Sequence, residues 1–487
     1  MSETTLYNYE KLANFITNLI DDGVYVKGAR IPSLRQICKQ HKLSLSTAMQ
    51  AYHLLEDKGI LESRVKSGFY VANRPTISLP TPTTTNSQNT ATLVSNSGIF
   101  LEMLEFAANP RYAPFGCAIP SAELLAANKL DKSLARAARL NGIENNIYTV
   151  PRGDLKLRQQ IARRALQWGQ NISPEDIVIT CGCTEALSIA LKTITKPGDT
   201  IAIESPAYFG NLQLAKALNL KVLEIPTDAN NGIDLAELTS AFANNSIAAC
   251  VFSSSFSNPL GSTMSDDRKR SILTLLAQYE VPLIEDDLMG DIYFGETRPR
   301  PFMAINNTDE IVDQANIIYC SSYSKTIAPG YRIGWVVAPS RVRDILENKL
   351  ATSLSNTSLT QVAMADYLSN SAYDNHLRRI RRIFANNIDR MTRAIKQYFP
   401  VGTRVSRPSG GFLLWLELPY QIDGKALFKQ ALDKGICFAP GTVFSPNPEA
   451  DDRFANCMRL SCGHEWNVQI DKGMQVLGKM AANAKNP

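Results

Sequence analysis

Histidine and tryptophan are scarce, with four of each in 487 residues, and no two cysteines are spaced Cys-x-x-Cys. The usual zinc frameworks are therefore excluded and no metal site is expected. Cys181 and Cys183 do flank Gly182, but one Cys-x-Cys is most simply a pair of reduced thiols in a tight turn. Missing too is any run near the roughly 18 uninterrupted apolar residues that suggest a membrane span. The opening, MSETTLYNYEKLANF, has neither the basic start nor the apolar core of a secretory leader. With an odd number of cysteines, nine, this reads as a cytoplasmic chain with free thiols and no membrane partner. Neither sign of charge dominates: 51 Lys plus Arg against 46 Asp plus Glu leaves +5. That excludes a polybasic tail protein, though not a local basic patch. Hydrophobic residues at 44% and charged residues at 20% exclude wholesale disorder, and the length exceeds what one domain usually holds.

One composition break is sharp. Residues 74–98, RPTISLPTPTTTNSQNTATLVSNSG, hold seven Thr, four Ser, three Asn and three Pro, with Arg74 the only charge. So little apolar area cannot offset ordering entropy, and the segment reads as a flexible linker between a module at 1–73 and a body at 99–487.

In the small module, Leu6, Tyr9, Leu12, Ala13, Ile16, Leu19 and Ile20 recur at helical spacing, up to Gly23. Ser33-Leu-Arg-Gln36 has the form of a capping box opening a second helix. Ser44 caps a third, 45–58, with Ala48, Ala51, Tyr52 and Leu55 on one face and Gly59 closing it. Ile60 to Arg64 and Phe69 to Val71 then form a hairpin through Val65-Lys-Ser-Gly68. Three helices and a hairpin make a winged helix-turn-helix. From Lys27 to Leu55 there are five basic residues (Lys27, Arg30, Arg35, Lys39, Lys42) and no acidic one, which points to a nucleic-acid partner; on charge alone, a solvated basic face carries equal weight.

Here the module resembles the GntR family of bacterial winged-helix regulators, through Arg30-Ile-Pro-Ser-Leu-Arg35, Leu43-Ser-Leu-Ser-Thr47, Tyr52, Leu55, Gly59-Ile60 and Ser67-Gly-Phe-Tyr-Val71. The resemblance implies a DNA face made by Arg30, Ser33, Arg35, Ser44, Ser46, Thr47 and Tyr52, with Lys66 and Gly68 in the wing.

Beyond residue 170, seven apolar runs alternate with helical stretches: 176–182, 200–206, 221–226, 247–254, 281–287, 316–322 and 333–339. They predict an α/β domain with a mostly parallel seven-stranded sheet, whose ligands bind at the carboxyl ends of the strands. Those ends carry Gly182-Cys-Thr184 opening a helix, Pro206-Ala-Tyr208, Asn258-Pro-Leu-Gly261, Glu285-Asp-Asp287 and Ser322-Tyr-Ser-Lys325, with Arg332 seven residues on. Each alone has a dull reading, as a turn or a solvated charge. Together they offer a phosphate cradle, a stacking ring, a carboxylate and an imine-forming amine, the set that pyridoxal 5'-phosphate requires.

Residues 99–487 resemble fold-type I aminotransferases, through Tyr148-Thr-Val-Pro-Arg-Gly153-Asp-Leu155 and Ser322-Tyr-Ser-Lys-Thr-Ile-Ala-Pro-Gly-Tyr-Arg-Ile-Gly334. The resemblance implies a smaller α+β domain beside the sheet domain, and Lys325 as the Schiff-base lysine. Asp286 would pair with the ring nitrogen, Asn258 would bond the ring oxygen, and Tyr208 would stack on the ring. Ser322, Ser324 and Arg332 would hold the phosphate with the backbone of Cys183 and Thr184, and Tyr148 would reach the phosphate of the other subunit in a homodimer. Arg459 would grip the carboxylate of an amino-acid ligand. The chain departs from the family three residues after Asp286, where Met289 replaces a tyrosine that donates to the ring oxygen; this weakens the electron-sink chemistry of transamination.

A GntR-type reader joined to an aminotransferase-like body is the layout of the MocR subfamily of transcription regulators. That resemblance implies DNA binding controlled by pyridoxal phosphate, an amino acid or another vitamin B6 form. Two alternatives stay open on sequence alone: an aminotransferase with an accessory DNA-binding module, and a scaffold that has lost its cofactor. The run His376-Leu-Arg-Arg-Ile-Arg-Arg382 is read as the polar side of a body helix rather than a DNA contact, and Trp415 as part of a core strand.

Overall fold

Two serines start helices in the N-terminal unit. Ser33 accepts the amide of Gln36 while the Gln36 side chain accepts the Ser33 amide, and the helix Leu34–His41 follows. The Ser44 hydroxyl accepts the amide of Thr47 at 3.1 Å and opens the helix Leu45–Asp57. Both pack with the helix Asn8–Asp21 around Leu12, Ala13, Ile16, Ile37, Ala48, Ala51, Tyr52 and Leu55. The antiparallel hairpin Leu61–Arg64 and Gly68–Val71 closes this core with Leu61 and Val71, paired opposite each other. Gly68 sits at φ +105°, a conformation that side-chain-bearing residues rarely adopt.

These details belong to a computed structural model, which describes residues 8–484 apart from 27, 58–59, 65–66, 73–78, 86–89, 96–97, 108, 307–315, 371 and 420–421. The chain divides into two units, Met1–Ser78 and Leu79–Pro487. No helix among the described residues is long and apolar enough to cross a membrane.

All seven expected strands form one sheet in the large unit. Its order is Lys221–Asp228, Thr200–Ser205, Ala249–Phe252, Leu283–Asp286, Ile317–Ser322, Ile333–Val337 and Ile177–Cys181. Only Ile333–Val337 among these runs antiparallel to its neighbours, so the carboxyl ends of the other six share one edge. Strand interiors such as Ile201–Ser205 and Ile317–Ser322 are buried throughout, as a sheet covered on both faces demands. A smaller antiparallel sheet, Arg404–Val405, Leu413–Glu417, Cys457–Ser461 and Ala439–Pro440, carries the buried Trp415. Beside it lie the helices Ala372–Tyr398 and Val468–Asn483.

Several described residues of the segment 74–98, read as a linker, bond the large unit. Residues 73–78 lie outside the described residues, but from Leu79 the chain is fastened to the body. The Thr83 amide and hydroxyl both donate to Glu417 Oε2, at 2.7 and 2.8 Å, and Thr84 donates to Asp228. Pro80 accepts the amide of Val405. Thr92–Leu93 then adds an antiparallel edge strand to Lys221–Val222, and Val94 is buried. Counting apolar area alone missed this, because the anchoring is polar: threonine hydroxyls and free backbone groups meet fixed partners on the body.

Candidate functional site

The sequence Glu285-Asp286-Asp287 puts three carboxyls at the end of one buried strand, and strand alternation sends them to different places. Glu285 accepts the amides of Phe302 and Met303 at 2.7 and 3.0 Å; its burial, then the nearby Asp287 charge, raises the carboxyl above the usual range. Asp287 Oδ2 takes Arg298 at 2.5 Å and the Tyr319 hydroxyl at 2.8 Å. Only Asp286 enters the cavity. Burial pushes it up to about 6, against the pull of the Cys183 thiol, which lies 3.6 Å from Oδ1.

That cavity, about 150 Å³, is lined by Asp286, Lys325, Asn258 and Tyr208, with Met289 in its wall. The Lys325 ammonium donates to Ala118 O at 2.6 Å, and burial, then the neighbouring Arg459 charge, lowers it to about 8. An amine so depressed is part neutral near physiological pH, which a nucleophilic lysine needs. Arg459 rises from the strand Cys457–Ser461 and is fully buried. Its Nη1 donates to Asn258 Oδ1 at 2.9 Å and its Nη2 to Gly116 O, leaving buried Nε with no partner. Burial lowers this guanidinium to about 10. Ser255 also lines the cavity with an unpartnered hydroxyl.

Of the phosphate residues of the sequence reading, Arg332 meets the start of the helix Gly182–Ile194. Arg332, at φ +52°, donates to Cys181 O at 2.9 Å. A Cβ on Gly182 (φ +76°) would stand 2.3 Å from Arg332 Nη2, so only glycine lets the guanidinium lie against this turn. Ser322 and Ser324 are buried side by side, the Ser322 hydroxyl accepting the Ser324 amide at 3.2 Å. Thr184 is exposed on the helix's first turn, whereas the Cys183 side chain turns inward to Asp286. Tyr148 lies apart from the cavity and is 81% exposed.

Sequence reasoning missed the cavity's other wall. Phe100 and Leu104 of the helix Ile99–Ala107 line it, as do Cys117, Ala118 and Ile119. These residues are apolar or contribute backbone, so no chemical motif marks them.

In the N-terminal unit, Arg30, Ser33, Arg35, Ser44 and Ser46 are exposed and Thr47 is half-buried; Gly68 is at the hairpin. Lys66 lies outside the described residues. Tyr52 corrects the expected DNA face: it is fully buried, its hydroxyl donating to Pro32 O at 2.7 Å and its ring edge-on to Phe69. On the helix Leu45–Asp57 it shares the inward face with Ala48, Ala51 and Leu55, so it joins the helix to the turn before Ser33 instead of meeting DNA. The arginine-rich run 376–382 also serves the body: Arg379 bonds Leu124 O and Arg381 bonds Asp291 O.

Residues 8–71 match the family of bacterial regulatory proteins, gntR, and residues 121–473 match aminotransferase class I and II. The HTH-type transcriptional regulator YdcR of Escherichia coli is 36% identical, over 97% of this chain and 98% of its own. YjiR of the same organism, described likewise, is 34% identical over 98% and 99%. Among solved structures, the α-aminoadipate aminotransferase LysN from Thermus thermophilus, complexed with N-(5'-phosphopyridoxyl)-L-leucine, superposes with a TM-score of 0.72 at 25% identity, over 79% of this chain and 95% of its own. The body therefore has the fold-type I aminotransferase architecture. With reader and body both matched, this chain belongs to the GntR-type transcription regulators that carry an aminotransferase class I and II domain, the architecture of the MocR subfamily.

Proposed function

We propose that this regulator holds pyridoxal 5'-phosphate in the Lys325 cavity and that an amino-acid or B6-type ligand bound there sets its affinity for operator DNA. The observation that carries the reading is the convergence of Lys325, Asp286 and Asn258 on one cavity, with Arg459 bonded to Asn258 behind it. The residues fit the cofactor. The glycine at 182 leaves a turn against which Arg332 lies, beside the amides at the start of a helix, a setting for a phosphate. One solved structural relative, LysN, is complexed with a phosphopyridoxyl compound.

When bound, the cofactor supplies an aldehyde that an amine takes up reversibly and a ring that draws off charge. The chain does the rest. Lys325, near 8, remains mostly protonated at neutral pH but keeps a far larger neutral fraction of Nζ than an ordinary lysine. Asp286 would hold a proton on the ring nitrogen, Asn258 would orient the ring oxygen, and Tyr208 would cover one ring face. Arg332, Ser322, Ser324 and the amides of Cys183 and Thr184 would hold the phosphate. The unpartnered Arg459 Nε offers a donor to an entering carboxylate. Met289 leaves the ring oxygen one donor short, favouring sensing over turnover.

Arg30, Ser33, Arg35, Ser44, Ser46, Thr47, Lys66 and Gly68 form the DNA face. The exposed apolar series Leu140, Ile143, Ile147 and Val150 around Tyr148 is covered by a second copy of the chain, making a homodimer. The test is a spectral titration with pyridoxal phosphate and a panel of amino acids, alongside operator binding. Wild type gains a visible imine band and changes its DNA affinity with one of the ligands; Lys325→Ala does neither. A ligand response that persists in Lys325→Ala refutes the reading.

A further inference from the structure

The helix Leu45–Asp57 has two unlike faces. Ala48, Ala51, Tyr52 and Leu55 are buried, while Leu45, Ser46, Met49, Gln50 and His53 are exposed along the other side at helical spacing. Leu45 is 56% and Met49 44% exposed, costly for side chains of that size unless something covers them. No Lys, Arg, Asp or Glu falls between Lys42 and Glu56. Cations stand just outside that stretch: Arg30, Arg35, Lys39 and Lys42 are all exposed, with no acidic residue between Asp22 and Glu56. An uncharged, partly apolar stripe framed by cations matches a DNA groove, whose phosphates lie at the rims and whose base edges lie between them.

Base edges discriminate between side chains. Guanine is read mainly by Arg or Lys, which the stripe lacks; adenine is read by Gln or Asn at N6 and N7, and the thymine methyl by apolar side chains. Resting on the DNA-reader assignment above, we propose that this helix reads A·T pairs in the major groove: Gln50 bonds adenine, and Leu45 and Met49 pack on thymine methyl groups. His53 is drawn to Glu56, 3.4 Å away, and the Ser44 hydroxyl bonds those of Ser46 and Thr47, each at 2.8 Å, leaving Gln50 as the long free amide of the stripe. Arg30 and Arg35 neutralise phosphates beside it.

The experiment is selection from a randomised duplex library at fixed salt with the full-length protein, followed by affinity measurements on the selected site. Wild type selects half-sites with A·T pairs under this helix. Gln50→Ala loses roughly ten- to hundredfold of the preference at one such pair, with non-specific affinity and salt slope unchanged. Replacing that adenine by 7-deazaadenine weakens wild type but not Gln50→Ala. Replacing thymine by uracil, which removes only the methyl, weakens wild type but not Leu45→Ala/Met49→Ala. The base analogues act on wild-type protein, so a misfolded variant cannot imitate them. Selected half-sites with G·C pairs at these positions, or indifference to both analogues, overturn this inference and leave the DNA-reader assignment standing. Binding to all duplexes alike overturns that assignment as well.

Discussion

Replacing Lys325 by methionine should stabilise the cofactor-free protein at pH 7 while removing its capacity to load. The ammonium ordinarily titrates at 10.5 and here near 8. Between those values the unfolded chain binds a proton that the folded chain does not, so wild-type stability rises with pH across that window and carries the full penalty below it. At 1.36 kcal/mol per pH unit the penalty is about 3 kcal/mol. Two effects offset the gain. The bond from Nζ to Ala118 O is lost, about 1 kcal/mol, and Asp286, already near 6, rises further without the ammonium across the cavity. Lys325→Met should therefore gain about 2 kcal/mol at pH 7, and the gain should vanish above pH 10.5. Urea denaturation of the large unit, followed by tryptophan fluorescence at pH 7, 8.5 and 10, measures it. A variant less stable than wild type at pH 7, or a difference independent of pH, refutes the claim that Lys325 is charged, half-buried and poorly compensated.

Three further outcomes follow from the geometry. Arg298→Ala leaves Asp287, whose side chain is fully buried, without its cation, and should cost about 3–5 kcal/mol of body stability in thermal or denaturant melts. Gly182→Ala forces a Cβ against Arg332 and should weaken pyridoxal phosphate binding by about tenfold in a spectral titration, with the N-terminal unit's melting unchanged. Tyr52→Phe should cost the N-terminal unit about 1 kcal/mol, through the lost bond to Pro32 O, and leave operator affinity intact at temperatures where that unit is folded.

The contrast between Tyr52 and Lys325 shows what the sequence could and could not tell. Strand runs such as Val178–Thr180 and Ile317–Cys320 were legible because both faces are buried, so apolar continuity is unambiguous. Lys325, Asp286 and Asn258 were legible because motif residues at strand ends fall on one edge of a parallel sheet. Tyr52 misled only through the family resemblance, since its helical spacing already set it on one face with Ala48, Ala51 and Leu55, the face that is buried. The segment 79–95 misled because its anchors, Glu417 and Asp228, lie more than a hundred residues away in sequence. Phe100 and Leu104 were invisible as cavity wall, since only the tertiary arrangement distinguishes them from other core residues.

Borohydride reduction of protein incubated with pyridoxal phosphate, followed by peptide mass spectrometry, tests the central claim most directly. The account predicts one stoichiometric pyridoxyl adduct on the peptide containing Lys325, suppressed when a competing amino acid occupies the cavity. An unmodified Lys325, or label scattered over surface lysines at equal yield, would contradict it.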